Sequence, residues 1–164
     1  MEYKNLFSFN IKWSYKTVSL LLFLIFLPNL LGLINIPTVF GFKIHFFQLA
    51  IFIAALLYGP KAGLLSGLIG SLNSAIVMNN PYIIVGNAIL GFFFGLFLRK
   101  GLKTIYAVLL AFLIQIPWLV LTDYFLLGLS VSFILTLLIA LLISNIVWAV
   151  IVNYSKKPLM GMVE

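Results

Sequence analysis

The chain has 164 residues, of which 64% are hydrophobic and only 8% are charged. A soluble domain of this size needs a polar surface, so this composition indicates a protein whose solvent is lipid. The sequence contains no cysteine, which excludes a disulfide framework and a thiolate metal site.

Six apolar runs follow one another along the chain. They are continuous rather than alternating, which favours helices over the strands of a membrane barrel. The residues before the first run are polar and basic and lack the pattern of a signal peptide, so that run is predicted to be a retained helix. The second run is short for a bilayer core of about 30 Å, because a helix rises about 1.5 Å per residue. The predicted membrane spans of one domain, 1–164, are residues 17–36, 45–58, 62–78, 81–98, 103–121 and 128–152.

Lysine and arginine predict the orientation of these spans. If both termini are cytoplasmic, nine of the 10 basic residues fall on the cytoplasmic side and Lys43 alone falls outside. This bias follows the positive-inside rule and explains the net charge of +7 without nucleic acid. The predicted fold is therefore an all-α integral membrane protein, a bundle of six transmembrane helices with both termini cytoplasmic. The cytoplasmic basic residues are Lys4, Lys12, Lys16, Lys61, Arg99, Lys100, Lys103, Lys156 and Lys157.

Small residues recur four positions apart in two of the predicted helices, as Ala50 with Ala54 and Gly63 with Gly67. Such pairs let helix backbones approach closely in lipid, where no hydrophobic force drives helices together. They have two interpretations, packing within the bundle or docking of another membrane protein. The spacing is common in membrane helices and does not decide between the two.

Polar side chains in the predicted helices gather in the outer half of the bundle. Asn73 and Asn87 each lie about 9 Å below the turn at residues 79–81, and Gln115 lies about 12 Å below Asp123. Polar groups in hydrocarbon are costly unless they face a partner or water, so this bias predicts an outward-facing polar pocket. The alternative is a set of interhelical hydrogen bonds, for example from Asn73 to Asn87. The candidate ligand contacts are Asn73, Asn87, Gln115, Gln48, Asp123, Tyr82 and Trp118.

Other polar residues are less easily assigned. Asp123 is the only acid away from the termini, and it is expected either to meet a cationic or donor ligand or to pair with Lys43. Ser144 and Asn145 lie deeper and do not fit the outer pattern, which leaves packing or a partner contact.

The sequence lacks the residue sets that membrane enzymes use. Ser66 is separated from His45, the only histidine, by the thickness of the bilayer, and no pair of acids is present. Phosphate loops, dinucleotide fingerprints and zinc-protease motifs are also absent. We therefore predict no enzyme activity, no cofactor and no metal site, with Ser66 as the residue that would test a hydrolase.

Two stretches carry a family resemblance. Residues 58–63 read Tyr-Gly-Pro-Lys-Ala-Gly before a glycine-spaced helix, and residues 87–95 read Asn-Ala-Ile-Leu-Gly-Phe-Phe-Phe-Gly before Arg99-Lys100-Gly101. They resemble the S components of energy-coupling factor (ECF) transporters. The resemblance implies a multi-pass protein of a prokaryotic plasma membrane that captures a vitamin or related micronutrient at the outer face. It also implies partnership with a transmembrane coupling subunit and two cytoplasmic ATPases.

The chain departs from that family in one respect. Members often carry an Ala-xxx-Ala stripe on helix one for docking the coupling subunit, whereas the nearest match here is Ala50/Ala54 on helix two. The docking residues predicted here are Ala50, Ala54, Gly63 and Gly67.

We predict a substrate-capture subunit of an ATP-driven micronutrient transporter, with membrane lipid as its surroundings. The scarcity of charge in the outer half favours a neutral or weakly cationic ligand. The alternative is a structural or assembly membrane protein without a ligand.

Overall fold

The computed structural model describes residues 9, 14–37 and 43–163, which form a helical bundle with one short β-hairpin. The helices are α1 (Tyr15–Leu31), α2 (Phe47–Tyr58), α3 (Pro60–Gly70), α4 (Leu72–Val77), α5 (Tyr82–Arg99), α6 (Thr104–Val120), α7 (Val131–Tyr154) and α8 (Lys156–Met160). A π-helical segment, Leu121–Leu126, continues α6, and strands β1 (Asn35–Pro37) and β2 (Lys43–His45) form the hairpin.

Each predicted span overlaps a helix or a broken helix, so the all-α prediction is confirmed for the described residues. Three helical stretches among them are long and apolar enough to cross a membrane: Tyr82–Arg99, Thr104–Leu126 and Val131–Tyr154. Helices α1 and α2 are shorter and also apolar. The number of crossings and the side of each terminus stay predictions.

The first and third predicted spans differ from the helices observed. Helix α1 ends at Leu31 rather than at residue 36, because the chain turns there into β1. The third span is two helices, α3 and α4, separated at Ser71, whose φ of −100° and ψ of 1° depart from helical geometry.

The two ends of the bundle differ in charge. Residues 79–81 and 121–126 lie at one end, termed the outer end, where Asn80 contacts Asp123. The other end, termed the basic end, holds residues 59–61, 99–103 and 155–160, and there the Arg99 guanidinium donates to the carbonyl of Tyr58 at 3.3 Å.

Glycines bring α3 and α5 into backbone contact. A Cβ on Gly63 would overlap the carbonyl of Gly91, and one on Gly67 would overlap the carbonyl of Asn87. Because residue numbers rise along α3 as they fall along α5, the two helices are antiparallel. The turn from α2 to α3 needs a glycine as well, since Gly59 has a φ of 89° and a Cβ there would meet Arg99.

The apolar core has two parts. The larger lies among α2, α5, α6 and α7 and includes Phe52, Phe94 and Val108, all fully buried. The smaller lies among α1, α2 and α3 around Leu24, Leu57 and Tyr58.

The β-hairpin explains why α2 is short. The antiparallel strands pair Asn35 with His45 and lead the chain down the side of α7. There the His45 N–H donates to Ser144 Oγ at 3.2 Å, and the His45 carbonyl accepts from Trp148 Nε1 at 2.6 Å. Since Trp148 lies 17 residues into α7, α2 begins about 26 Å along that helix. The hairpin thus takes the place of the outer turns that α2 lacks.

Candidate functional site

Asn73 joins two helices and does not bond to Asn87. Its backbone N–H donates to Asn29 Oδ1 at 2.9 Å, and Asn29 in turn donates through Nδ2 to the carbonyl of Ile69 at 2.8 Å. Asn73 is half-buried. The Asn73–Asn87 bond given as an example of interhelical pairing is therefore wrong, because Asn73 lies on the side of α4 that faces α1.

Asn87 ties α5 to the break between α3 and α4. Its Nδ2 donates to Ser71 Oγ at 2.7 Å, and only 4% of the residue is exposed. Ser71 is the residue at which the helix is interrupted, so this bond fixes the position of the interruption.

Four residues form a network at the outer end, termed the outer bridge: Asn80, Tyr82, Trp118 and Asp123. Asn80 Nδ2 donates to Asp123 Oδ1 at 3.0 Å, while Asn80 Oδ1 accepts from the Tyr82 N–H at 3.0 Å. Trp118 Nε1 donates to the Tyr82 carbonyl, also at 3.0 Å. The outer bridge links the α4–α5 turn to the end of α6 and buries Asp123. The side chain of Lys43, its predicted partner, lies outside the described residues.

Three buried amides keep polar atoms without a hydrogen-bond partner. Gln115 donates through Nε2 to the Gly86 carbonyl at 2.9 Å, but its Oε1 has no partner. The Oε1 of Gln48 also lacks a partner, and so do both amide atoms of Asn145, Oδ1 and Nδ2. These residues are at most 2% exposed. A buried polar group left unsatisfied costs about 1–3 kcal/mol, so these positions call for a ligand or water.

The depths of Gln48 and Gln115 can be compared along α5. Gln115 is level with Gly86, whose carbonyl it contacts. Ile51 of α2 is level with Gly91, since a Cβ on that glycine would lie 2.7 Å from Ile51 Cγ2. Helices α2 and α5 are parallel because each is antiparallel to α3. Gln48, three residues before Ile51, therefore lies within about 5 Å in depth of Gln115.

The depth of Asn145 follows from the contacts of His45. That residue lies between Ser144 and Trp148 of α7, and Gln48 follows it by three residues. Asn145 adjoins Ser144, so it too lies within about one helical turn of Gln48 in depth. Gln48, Gln115 and Asn145 are termed the amide layer. They come from α2, α6 and α7, three of the four helices that surround the larger core.

The amide layer is uncharged and lies beside aromatic rings. The rings of Phe46 and Trp148 are 4.7 Å apart next to it, and Phe47 is buried on the same turn as Gln48. Neutral amides donate and accept hydrogen bonds, and aromatic faces stack on flat rings. The chemistry of the layer therefore suits an uncharged, flat, hydrogen-bonding molecule better than a charged one. Within the described residues, no three His, Asp or Glu side chains come together to bind a metal ion.

The family is shown by the sequence match. A model of the family described as ECF-type riboflavin transporter, S component, matches residues 12–161. The chain belongs to this family. This S component is accordingly a membrane protein and the substrate-binding subunit of a vitamin transporter, and its family is a class of transporter components rather than a class of enzymes. No curated protein and no solved structure matches the chain.

The four residues predicted for partner docking lie inside this S component. Ala50 and Ala54 are fully buried, and Gly63 and Gly67 meet the backbone of α5. Docking through them would require α2 and α3 to separate from their neighbours in this arrangement, and the docking role of the four residues stays a prediction.

Asn145 was not among the ligand contacts predicted from the sequence. It is counted 14 residues into α7, which placed it below the outer polar group. Its depth relative to α2 depends on the hairpin, which no local pattern reveals.

Proposed function

We propose that this S component captures riboflavin, or a flavin closely related to it, from the outer side of the membrane. Its ligand is then passed inward by a transmembrane coupling subunit driven by ATP hydrolysis at two cytoplasmic ATPases. The family match supports the transport role and the vitamin class. The chemistry of the amide layer supports the flavin.

The amide layer is the observation that carries this proposal. The flavin ring system is flat and uncharged near neutral pH, and one edge alternates carbonyl oxygens with an N–H. Gln48 and Gln115 each have a buried acceptor without a partner, and Asn145 has both a donor and an acceptor. The N–H of that edge can donate to one of these amide oxygens, and Asn145 Nδ2 can donate to one of its carbonyl oxygens. A charged ligand would instead find no described counter-charge in the layer.

The remaining predicted contacts are proposed to form the outer wall of the pocket. Asn87 lies one residue from Gly86, the level of Gln115, and flanks the layer. Asn73 and the outer bridge hold the helix ends together above it. Ligand entry then requires those ends to separate, which the break at Ser71 and the π-helical end of α6 make easier than in continuous helices.

Riboflavin binding to the purified full-length protein tests the proposal. Flavin fluorescence is quenched on burial against aromatic rings, so a titration gives the dissociation constant directly. Gln48→Leu, Gln115→Leu and Asn145→Leu should each weaken binding at least about 10-fold, since each removes a hydrogen bond to a buried polar group.

Ser66→Ala is the matched control. Ser66 is fully buried and donates to the Leu24 carbonyl at 2.8 Å, in the smaller part of the core. This variant should lose stability and keep its affinity. If riboflavin binds none of the proteins, the flavin assignment is wrong, and a chain that acts only in membrane assembly becomes the better description.

A further inference from the structure

A cavity of about 520 Å³ opens at the basic end, away from the amide layer. It lies where α6 begins and α7 ends. Residues 101–106 line one side, and Asn153 and Lys156 line the other.

Two lysines give this cavity a positive charge that no described residue cancels. Lys103 and Lys156 both line it and are exposed. Among residues 14–37 and 43–163 the one carboxylate side chain is that of Asp123, which lies at the outer end and accepts from Asn80. The cavity therefore favours an anion.

A polar contact, from Thr104 to Asn153, joins the two sides of the cavity. Thr104, which is only 3% exposed, donates through Oγ1 to Asn153 Oδ1 at 3.0 Å and so ties α6 to α7. No described residue accepts a hydrogen bond from Asn153 Nδ2. That amide and the two lysines offer donors of the kind that bind phosphate oxygens.

The same cavity has an apolar rim. Leu102 and Ile105 line it and are half-buried, and Tyr106 lines it with 60% of its surface exposed. Tyrosine is typical of the boundary between lipid and water, where its ring meets acyl chains and its hydroxyl meets water. A rim of this type suits a molecule that is apolar at one end and anionic at the other.

We propose that this cavity binds the phosphate of an anionic glycerophospholipid from the inner leaflet. The lysines and Asn153 hold the phosphate, while Leu102, Ile105 and Tyr106 contact the glycerol and the start of the acyl chains. Basic pockets between helices on the cytoplasmic side are suited to such headgroups. The site rests on the predicted orientation, with the basic end inside, and is independent of the flavin proposal.

Native mass spectrometry of the full-length protein can test this site. The protein is incubated with equal amounts of phosphatidylglycerol and phosphatidylcholine, and the lipid that stays bound is identified. The wild type should retain phosphatidylglycerol preferentially. Each lysine near the membrane surface is expected to contribute about 5-fold in affinity, so Lys103→Gln with Lys156→Gln should weaken retention about 25-fold.

The chain supplies a matched control in Lys100→Gln with Lys157→Gln. This pair removes the same charge from neighbouring positions that do not line the cavity, and it should keep the preference. The conservative pair Lys103→Arg with Lys156→Arg should also keep it, because arginine binds phosphate well.

Three results would overturn the lipid site. Equal losses in the two glutamine pairs would mean that charge at the basic end attracts lipid without a defined cavity. Equal retention of the two lipids would mean that no anion is selected. Displacement of phosphatidylglycerol by glycerol phosphate at similar concentrations would mean that the cavity takes a soluble anion instead.

Discussion

Replacing Asn145 by leucine should make the ligand-free protein more stable and weaken its binding of riboflavin. The two side chains have similar size, and Asn145 is fully buried with neither amide atom paired. Removing unsatisfied buried polar atoms returns about 1–3 kcal/mol, and the leucine adds apolar contact with the core. A gain of about 2 kcal/mol in the free energy of unfolding is therefore expected.

Asn87→Leu provides the contrast, because the Asn87 amide is paired. It donates to Ser71 Oγ at 2.7 Å, and its loss leaves that hydroxyl buried without this partner. The expected effect is a loss of about 1–3 kcal/mol. The two variants make the same chemical change at similar burial, so opposite signs follow only from hydrogen bonding.

Unfolding in mixed detergent, followed by circular dichroism, gives the stability of both variants without ligand, and flavin quenching gives their affinity. Asn145→Leu should melt higher than the wild type and bind riboflavin at least about 10-fold more weakly. If Asn145→Leu instead melts lower and still binds, then Asn145 is a structural residue and the amide layer is not the ligand site.

Three further predictions concern the packing that surrounds the site. Gly63→Val should separate α3 from α5 and lower the free energy of unfolding by more than about 2 kcal/mol, since its Cβ meets backbone that cannot move aside; an unchanged melting temperature would show that the contact is looser than described. Gly59→Ala should lower the free energy of unfolding by about 1–2 kcal/mol, because alanine must adopt a φ of 89° there and displace Arg99. Gly101 also has a positive φ but open space around it, so Gly101→Ala should lower the free energy of unfolding by less in the same melting assay. Asp123→Leu should break the outer bridge and raise amide hydrogen exchange in residues 78–82 and 121–126 but not in α2, as measured by mass spectrometry. Exchange that stays at the wild-type rate in both segments would show that the outer bridge does not hold the helix ends together.

The sequence alone predicted that the protein lies in lipid, where its helices are and which family it belongs to. Solvent and helices follow from local quantities: apolar runs long enough for a bilayer, basic residues gathered on one side, and turns marked by glycine, asparagine and proline. The glycines of α3 were also identified, and their neighbours were not. Gly63 packs on Gly91 because two glycine-bearing faces happen to meet, and spacing within one helix contains no information about its partner.

Partners of the polar residues were decided by tertiary structure. Depth along a helix can be counted from the sequence, but the direction in which a side chain points around the axis depends on the packing of its neighbours. Asn73 and Asn87 lie at similar predicted depth but have different partners. Asn73 contacts Asn29 of α1, and Asn87 contacts Ser71 at the break between α3 and α4.

The amide layer shows that the depth of a residue relative to other helices cannot always be counted from the sequence either. Counting residues from the loops assumes that every helix begins at one plane, which holds for most of this bundle and fails for α2. The hairpin brings His45 down to Ser144 and Trp148, and so places Gln48 near Asn145. The composition of this protein determines that it folds in lipid as a set of helices. Contacts between residues about 100 positions apart determine the relative depth of its buried amides, because only the packed chain sets one helix against another.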